Sequence, residues 1–338
     1  MIEGFLGTDS KRRHAIVLIG NVSQEPYCNN LLPVVAAFER VAEVQVLEPW
    51  KIPGFESTGG ARPAPVPARA LAALPGDLTP QIVVCLAGGL FIEQESRVTL
   101  PDGCLTIGLA LSDPLGLEAS LDIAPSFDLF YTQDPHALPF FTESGLNVGL
   151  CLPAVDPSVG CGIRGEPVCD VIFVGKWTEY RNRLVSILAN HCSIRVHTEA
   201  GETRWSVPAH PPLNTPHELA GAFARARLAL EVARVEQEGN PLHGSHRITN
   251  RPQFAAVCGT PSLIEDYDEL GRTFQPGREI ATYSDERDLV ETALELLGND
   301  RRRTRMGRSA KRRVTRGHSW DRRVRMLLKD ADRLLERR

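Results

Sequence analysis

Twice along this chain, short apolar runs that fit β-strands alternate with segments of helical period, and one proline- and glycine-rich stretch separates the two series. That alternation constrains the fold more than any single residue, because strands joined through helices lie parallel and need cover on both faces. In the first series AIVLIG (15–20), EVQVLEP, IVVCLAGG, CLTIGLALSDP, FDLFYTQDP and NVGLCLPAV read as strands, and NNLLPVVAAFERVA as a helix. A tight turn is expected at Gly88-Gly89. Residues 51–67, with Pro53, Pro63, Pro65 and Pro67, are expected to form an irregular exposed loop of the kind that lines ligand clefts. Residues 153–169, with three prolines and three glycines, read as the linker between two domains.

The second series begins at once. DVIFVGK is a strand, 179–191 a helix, SIRVHT a strand, 215–226 a helix with Thr215 as its cap, and LALEVA a strand. Then NPLHGSHRITNRPQFAAVCGTPSLIEDYDEL (240–270) supplies a polar loop, a helix ending at Gly259 and a strand with carboxylates at its tip. EIATYS, a helix over 285–297 and two closing helices, 301–316 and 320–337, complete the series. Two open α/β halves joined by one linker make a deep cleft, and such sheets place ligands at the carboxyl ends of their strands.

At 338 residues, 42% hydrophobic and 24% charged, the chain has enough apolar content for two cores and is not of a disordered class. Its eight cysteines show no C-x-x-C pair and are expected to be reduced core residues. The apolar run after Lys11-Arg12-Arg13 is too short for a signal peptide or a membrane span, so the expected location is the cytoplasm. The net charge of −4 is unevenly placed, because residues 301–338 carry 16 Lys/Arg against 4 Asp/Glu. A basic tail can bind nucleic acid or an anionic membrane. Here Val324, Leu327, Leu328, Ala331, Leu334 and Leu335 recur at helical spacing, which predicts instead a helix lying on the body of the protein.

Candidate chemistry concentrates at the predicted strand ends. Gly175 would let the backbone approach a ligand, and Lys176 and Arg181 together suit a diphosphate. In the 240–270 stretch, Gly244 and Ser245 offer small residues with N–H and hydroxyl donors next to His246 and Arg247, while Asn250 and Arg251 open a helix followed by Pro252 and Gln253. Asn250 also suits a simple helix cap. Glu265 and Asp266 either meet a sugar or ribose hydroxyl, or Asp266 caps the next turn. In the first half Asp113, Asp134, His136, Glu25 and Tyr27 fall at strand ends or loops. Any of them could serve as a base, with Asp113 and His136 the chosen candidates. No metal site is expected. The absence of G-x-G-x-x-G after either leading strand argues against a dehydrogenase, and no nucleophile elbow, P-loop or H-E-x-x-H occurs.

From about Leu111 onward the chain resembles the CgeB-like (spore-maturation type) glycosyltransferases of the GT-B superfamily, with a C-terminal domain of the group 1 glycosyl transferase type. The resemblance is carried in order by ALSDP, FDLFYTQDP, LPAVDPSV, DVIFVGKWTEYRNRL, RITNRPQFAAVCGTPSLIEDYDEL, FQPGREIATYSDERDL and RMGRSAKRRVTRGHSWDRRVRMLL. It implies two Rossmann-like domains facing across a cleft. The acceptor domain would span 1–155, the donor domain 156–318, and a helix over 319–338 would cross back to the first domain. It further implies a hexosyltransferase-like enzyme that uses a nucleotide-sugar co-substrate and no other cofactor or metal, with Lys176 and Arg181 as the basic pair for the diphosphate. Stable nucleic-acid partners are not expected, and a homodimer is left open. One departure stands out: His246 and Phe254 occupy positions where many relatives carry glutamates for the sugar and the ribose. Those contacts would then fall to Gln253, Asn250 or Glu265. The rival expectations are a nucleotide-sugar epimerase and a non-catalytic nucleotide- or nucleic-acid-binding protein.

Overall fold

The computed structural model describes residues 15–19, 28–48, 64–66, 80–86, 90–92, 104–163 and 165–338. Glu25, Tyr27 and the Gly88-Gly89 turn lie outside them, as does most of 51–67. The first half contains β1 (Ala15–Ile19), α1 (Cys28–Glu39), β2 (Glu43–Leu47), β3 (Ala64–Val66), β4 (Ile82–Leu86), β5 (Leu90–Ile92), β6 (Leu105–Ala110), α2 (Leu117–Ile123), β7 (Leu129–Thr132), α3 (Leu138–Glu143) and β8 (Val148–Leu150). Six of these strands form one parallel sheet in the order β2-β1-β4-β6-β7-β8. Every residue of β4, β6 and β7 is buried, as expected of parallel strands covered on both faces. The 51–67 stretch is not wholly irregular, since β3 pairs with β5 in a separate two-stranded ribbon. The short helix α2 has no sequence counterpart because it spans two turns or fewer, too little for an apolar period to register, whereas Asp134-Pro135 mark a helix start that α3 follows at Leu138.

The second half contains β9 (Cys169–Val174), α4 (Glu179–Ala189), β10 (Ile194–His197), β11 (Ala209–His210), α5 (Pro216–Ala224), β12 (Ala226–Glu231), α6 (Arg251–Cys258), β13 (Ser262–Glu265), β14 (Ala281–Tyr283), α7 (Glu286–Gly298), α8 (Asp300–Gly317) and α9 (Trp320–Leu335). A second all-parallel sheet runs β11-β10-β9-β12-β13-β14. Its helices start where capping residues stand. Thr178, Asp285 and Ser319 each accept a backbone N–H, and Thr215 forms a reciprocal capping box with Glu218. Gly259 ends α6 with φ of 83°, a left-handed value that glycine adopts without strain.

The chain crosses between the halves twice, and the two crossings lie side by side. Val155 of the linker donates its N–H to His318 O at 3.2 Å, and Trp320 N–H returns to Val155 O at 3.3 Å. Beyond that bridge, α9 lies on the first domain. Trp320, Val324, Leu327, Leu328 and Ala331 enter the core that holds Leu31, Val34 and Phe38 of α1. Polar ties fix the docking, with Arg40 Nε on Asp321 at 2.7 Å and Tyr131 OH on Asp330 at 3.0 Å. The apolar period over 324–335 thus marks an intramolecular contact.

On the other side of the crossing, α8 packs on α6 through glycines. A Cβ built on Gly307 would fall 1.9 Å from the Gly259 carbonyl oxygen, so the close approach needs a residue with no side chain. Gly307→Ala should therefore lose about 1–3 kcal/mol or more through forced backbone displacement. Gly298→Ala, with nothing within 4 Å of the added atom, should be neutral or slightly stabilising. Urea denaturation of the two variants against the parent checks the contrast; equal midpoints would show that the helix contact does not constrain the fold.

Candidate functional site

The carboxyl ends of β9 and β12 converge on Arg251, the first residue of α6. Its Nη1 donates to Val174 O at 2.7 Å and its Nη2 to Glu231 Oε1 at 2.7 Å, so one guanidinium ties the ends of two neighbouring strands. Glu231 Oε1 also accepts from Thr249 Oγ1 at 3.0 Å. Gly175 makes room for this arrangement, because a Cβ there would lie 2.7 Å from Arg251 Nη1. Its N–H is already committed to His197 O at 3.0 Å. The value of a glycine at 175 is space for an arginine, not a free backbone donor.

Arg181 sits in the first turn of α4, donating through Nη1 to Lys176 O and through Nη2 to Val232 O, both at 3.2 Å. Its Nε is buried and meets no acceptor among the described residues. Burial, followed by the Arg251 charge, pulls its pKa down to about 10. Arg247 behaves alike. Burial and then Arg251 lower its pKa, and its Nε is also buried without a partner among the described residues. Burial and the neighbouring Arg251 charge depress both Arg181 and Arg247, and each of these two holds an unused N–H, an arrangement that suits an anion. Lys176 does not converge with Arg181 as the spacing suggested. Its side chain is 75% exposed and its Nζ pairs with Glu199 at 2.8 Å.

The loop before α6 is a hairpin. Residues 233–235 and 244–247 exchange backbone bonds: Gly244 N–H to Val235 O at 2.9 Å, Val235 N–H to Ser245 O at 2.8 Å and Arg247 N–H to Ala233 O at 3.0 Å. Ser245 turns both its N–H and its hydroxyl onto Leu242 O. The donors expected to be free at Gly244 and Ser245 are therefore spent on holding the hairpin. Its tip reaches the first domain, where Asn240 Nδ2 donates to Pro114 O at 2.6 Å and Leu242 packs on the cluster around Ala110, Leu117 and Phe141.

Asn250 occupies the cap position of α6 without a side-chain cap bond. Gln253 is fully buried, its amide oriented to donate to Thr249 O at 2.7 Å and Asn250 O at 3.0 Å. It cannot reach a ligand in the cleft. Phe254 is 2% exposed, in the core beneath the sheet. His246 stacks on Tyr267 with ring centroids 5.0 Å apart, and its Nε2 lies 3.3 Å from Glu265 Oε1.

Glu265 gathers a second cluster that sequence spacing did not reveal. Tyr180 OH donates to Glu265 Oε1 at 2.6 Å and Arg234 Nη2 at 2.9 Å, while the Arg234 guanidinium lies 4.5 Å over the Tyr180 ring. Burial would push the Glu265 carboxyl up, but bonds from His246 and Tyr180 and the Arg234 charge outweigh it and hold it below its ordinary value. Its Oε2 is buried with no partner among the described residues. Arg234 and Tyr180 each follow a strand by a few residues, which was the available signal; neither sits in a recognisable pattern.

Across the cleft, Asp113 is wholly buried and accepts hydroxyls from Ser120 and Thr132, both at 2.7 Å, one on each oxygen. Asp134, two residues past β7, uses Oδ1 to accept the His136 N–H at 2.8 Å, and its Oδ2 is buried without a partner among the described residues. Burial raises the Asp134 pKa, against the lowering pull of His136 and Arg247. Asp113 thus has both oxygens engaged as an anchor, whereas Asp134, equally buried, has one oxygen without a partner among the described residues. Among the described residues no group of three or more His, Cys, Asp or Glu could hold a metal ion, and no helix is long and apolar enough to cross a membrane.

Residues 180–329 match a family model described as "Glycosyl transferase-like". Solved structures share the whole architecture. Sucrose-phosphate synthase from Thermosynechococcus elongatus superposes with a TM-score of 0.65 at 11% identity, covering 96% of this chain and 100% of that one. AviGT4, a glycosyltransferase involved in avilamycin A biosynthesis, gives 0.60 at 14% identity over 95% and 98%. Anabaena Alr3699/HepE in complex with UDP-glucose gives 0.62 at 11% identity over 94% and 100%. The fold is therefore the GT-B arrangement of two Rossmann-like sheets. No curated protein matches the sequence.

The buried setting of Asp113 has a measurable consequence. Burial outweighs the two hydroxyl bonds and raises its pKa from 3.8 to about 6. A carboxyl raised in the folded state contributes stability that is complete below its unfolded value and is lost as pH rises through the folded one. Between pH 3.8 and 6 the unfolding free energy should therefore fall more steeply with rising pH in the parent than in Asp113→Asn. Parallel pH profiles from urea titrations would refute the assignment.

Proposed function

We propose that this protein is a nucleotide-sugar-dependent glycosyltransferase of the hexosyltransferase kind, CgeB-like in type and working in the cytoplasm. The second domain holds the donor and the first presents the acceptor. The observation that carries this reading is the cluster of Arg181, Arg247 and Arg251 at the carboxyl end of the second sheet, with buried N–H groups of Arg181 and Arg247 still unused. A diphosphate supplies the oxygens such groups require, and arginine meets phosphate with two parallel donors. The Glycosyl transferase-like match spans all three arginines, and a protein of the same fold is known in complex with UDP-glucose.

In this reading the bond between the sugar's anomeric carbon and the diphosphate oxygen breaks, and its electron pair stays with the diphosphate. Charge develops where the three guanidinium groups converge. That electrostatic role needs no metal ion, because the cations are already fixed in place before the reaction. The acceptor oxygen forms the new bond to the anomeric carbon and gives up its proton. Asp134 Oδ2, next to the Arg247 charge, is the carboxylate oxygen we assign to receive it. Sugar hydroxyls fall to Glu265 Oε2 and Arg234, which bring a carboxylate back to the place where His246 stands instead of a glutamate.

A thermal-shift series across nucleoside diphosphates identifies the base, since a ligand that binds only the folded state raises its apparent stability. With that donor, Arg251→Ala should lower turnover by about 100-fold, the usual scale for removing one preorganised charge-stabilising group. Gly175→Ala should act in the same direction by displacing the Arg251 guanidinium. Lys176→Ala, which loses only an exposed pair, should stay within about threefold. Release of nucleoside diphosphate measures all three; a folded Arg251→Ala enzyme of near-normal turnover would refute the clamp.

A further inference from the structure

The basic excess of the C-terminal region is not absorbed by the cleft. Much of it lines two adjoining grooves along α8, of about 490 and 430 Å³. Arg313, Arg316 and Arg322 belong to the larger, Arg302 and Arg305 to the smaller, and Arg278, Ser309 and Arg312 to both, so the grooves are continuous. Glu279 is the one carboxylate among these lining residues. It accepts the Gln275 N–H at 2.8 Å and lies 3.8 Å from Arg313. Arg302 pairs with Glu295, and Arg312 donates to Ser309 Oγ at 3.1 Å. Arg278, Arg305, Arg312, Arg316 and Arg322 meet no carboxylate among the described residues.

Topology sets this surface apart from the donor site. Arg278 and Glu279 precede β14, and Met306 and Ser309 flank Gly307, whose neighbour Gly259 precedes β13. The grooves therefore lie toward the amino ends of the strands, whereas the Arg251 cluster lies at the carboxyl ends.

We infer that these grooves form a second anion site, which takes a linear chain of phosphate groups that carries no bases. Arginines held along one helix from Arg302 to Arg316 cover about 21 Å at 1.5 Å per residue, long enough for several successive phosphates. Each guanidinium can grip two oxygens of one phosphate. Single-stranded nucleic acid draws about 1–3 kcal/mol per base from aromatic stacking, and none of the lining residues is Phe, Tyr or Trp. An interfacial membrane helix would expose an apolar face, but Met306, Ala310 and Val314 of α8 are buried. The chemistry that remains is charge and bidentate hydrogen bonding on a flexible polyanion, which would hold the enzyme on such a polymer independently of the donor.

The test is a titration of the full chain with inorganic polyphosphate and, separately, with poly(glycerol phosphate); the tighter of the two names the source. Arg278→Gln/Arg312→Gln/Arg316→Gln should bind at least about tenfold more weakly, with a salt dependence shallower by about three phosphate contacts. The charge-matched Arg301→Gln/Arg308→Gln/Arg325→Gln, exposed on α8 and α9 outside the grooves, should bind like the parent. So should Arg251→Ala, which separates this site from the cleft. Absence of binding by both polymers, equal losses in the two triple variants, or tighter binding of a single-stranded oligonucleotide, a duplex or anionic vesicles at matched charge would overturn the proposal. Circular dichroism confirms that each variant is folded.

Discussion

The second domain is organised around a single guanidinium. Arg251 joins the end of β9, through Val174 O, to the end of β12, through Glu231, and both contacts are 2.7 Å. A buried ion pair of this kind contributes little net stability, because the desolvation of both charges offsets their attraction. What it contributes here is position. It fixes the start of α6 against the sheet, and a side chain at 175 would push its guanidinium aside. It also places a positive charge near Arg181 and Arg247, lowering the pKa of both. The repulsion among the three is tolerable because Glu231, Asp134 and Asp113 act on Arg247 from both sides of the cleft. The site is thus a set of cations balanced by carboxylates from two domains.

Much of the architecture was legible because the signals that produced it are local. Strand after strand is buried along its whole length, and caps such as Thr215 and a stop such as Gly259 act within a turn of where they stand. That α9 is covered by the body of the protein was legible as well, since an apolar stripe on a highly charged helix has to be covered by something, whereas its crossing back to the first domain was implied by the family resemblance. Geometry that depends on partners far along the chain leaves no local signal. Gly244 and Ser245 look like free donors only until 233–235 returns to pair with them. Lys176 and Arg181 are five positions apart, yet one points to solvent and the other is drawn in by Val232 O, a contact made 51 positions away. Gln253 was indistinguishable from a site residue by spacing, because α6 is buried continuously from Pro252 to Val257 and no period marks which side borders the cleft.

The separation of charge along the sequence has a physical resolution in the fold. A helix as basic as α9 lies on the first domain because its apolar side is swallowed by the α1 core and its acids, Asp321 and Asp330, meet Arg40 and Tyr131. Its neighbour α8 buries Met306, Ala310 and Val314 and turns its arginines outward. The crossing between them is tightened by Arg323, which donates to Leu152 O at 2.8 Å and lies beside His318. Burial, then Arg323, pushes the His318 pKa down to about 4. That imidazole is therefore neutral at ordinary pH and adds no further repulsion to an arginine-rich corner.

Under the proposed function, the cluster at Glu265 would let the site change its residues while keeping its chemistry. A carboxylate that meets a sugar has to be ionised and close to the diphosphate cations, but it need not come from a fixed sequence position. Here the position before α6 holds His246, and the carboxylate arrives from the tip of β13. Two donors, Tyr180 and Arg234, converge on Oε1, His246 Nε2 lies 3.3 Å from it, and Oε2 is left without a partner among the described residues. Those contacts keep Glu265 ionised despite its burial, which is the condition for accepting hydroxyl hydrogen bonds. His246 then acts as a positioning residue, held flat against Tyr267 and aimed at the carboxylate. Because Tyr267 OH in turn donates to Arg247 O at 3.3 Å, the Glu265 cluster and the arginine cluster are tied through one side chain.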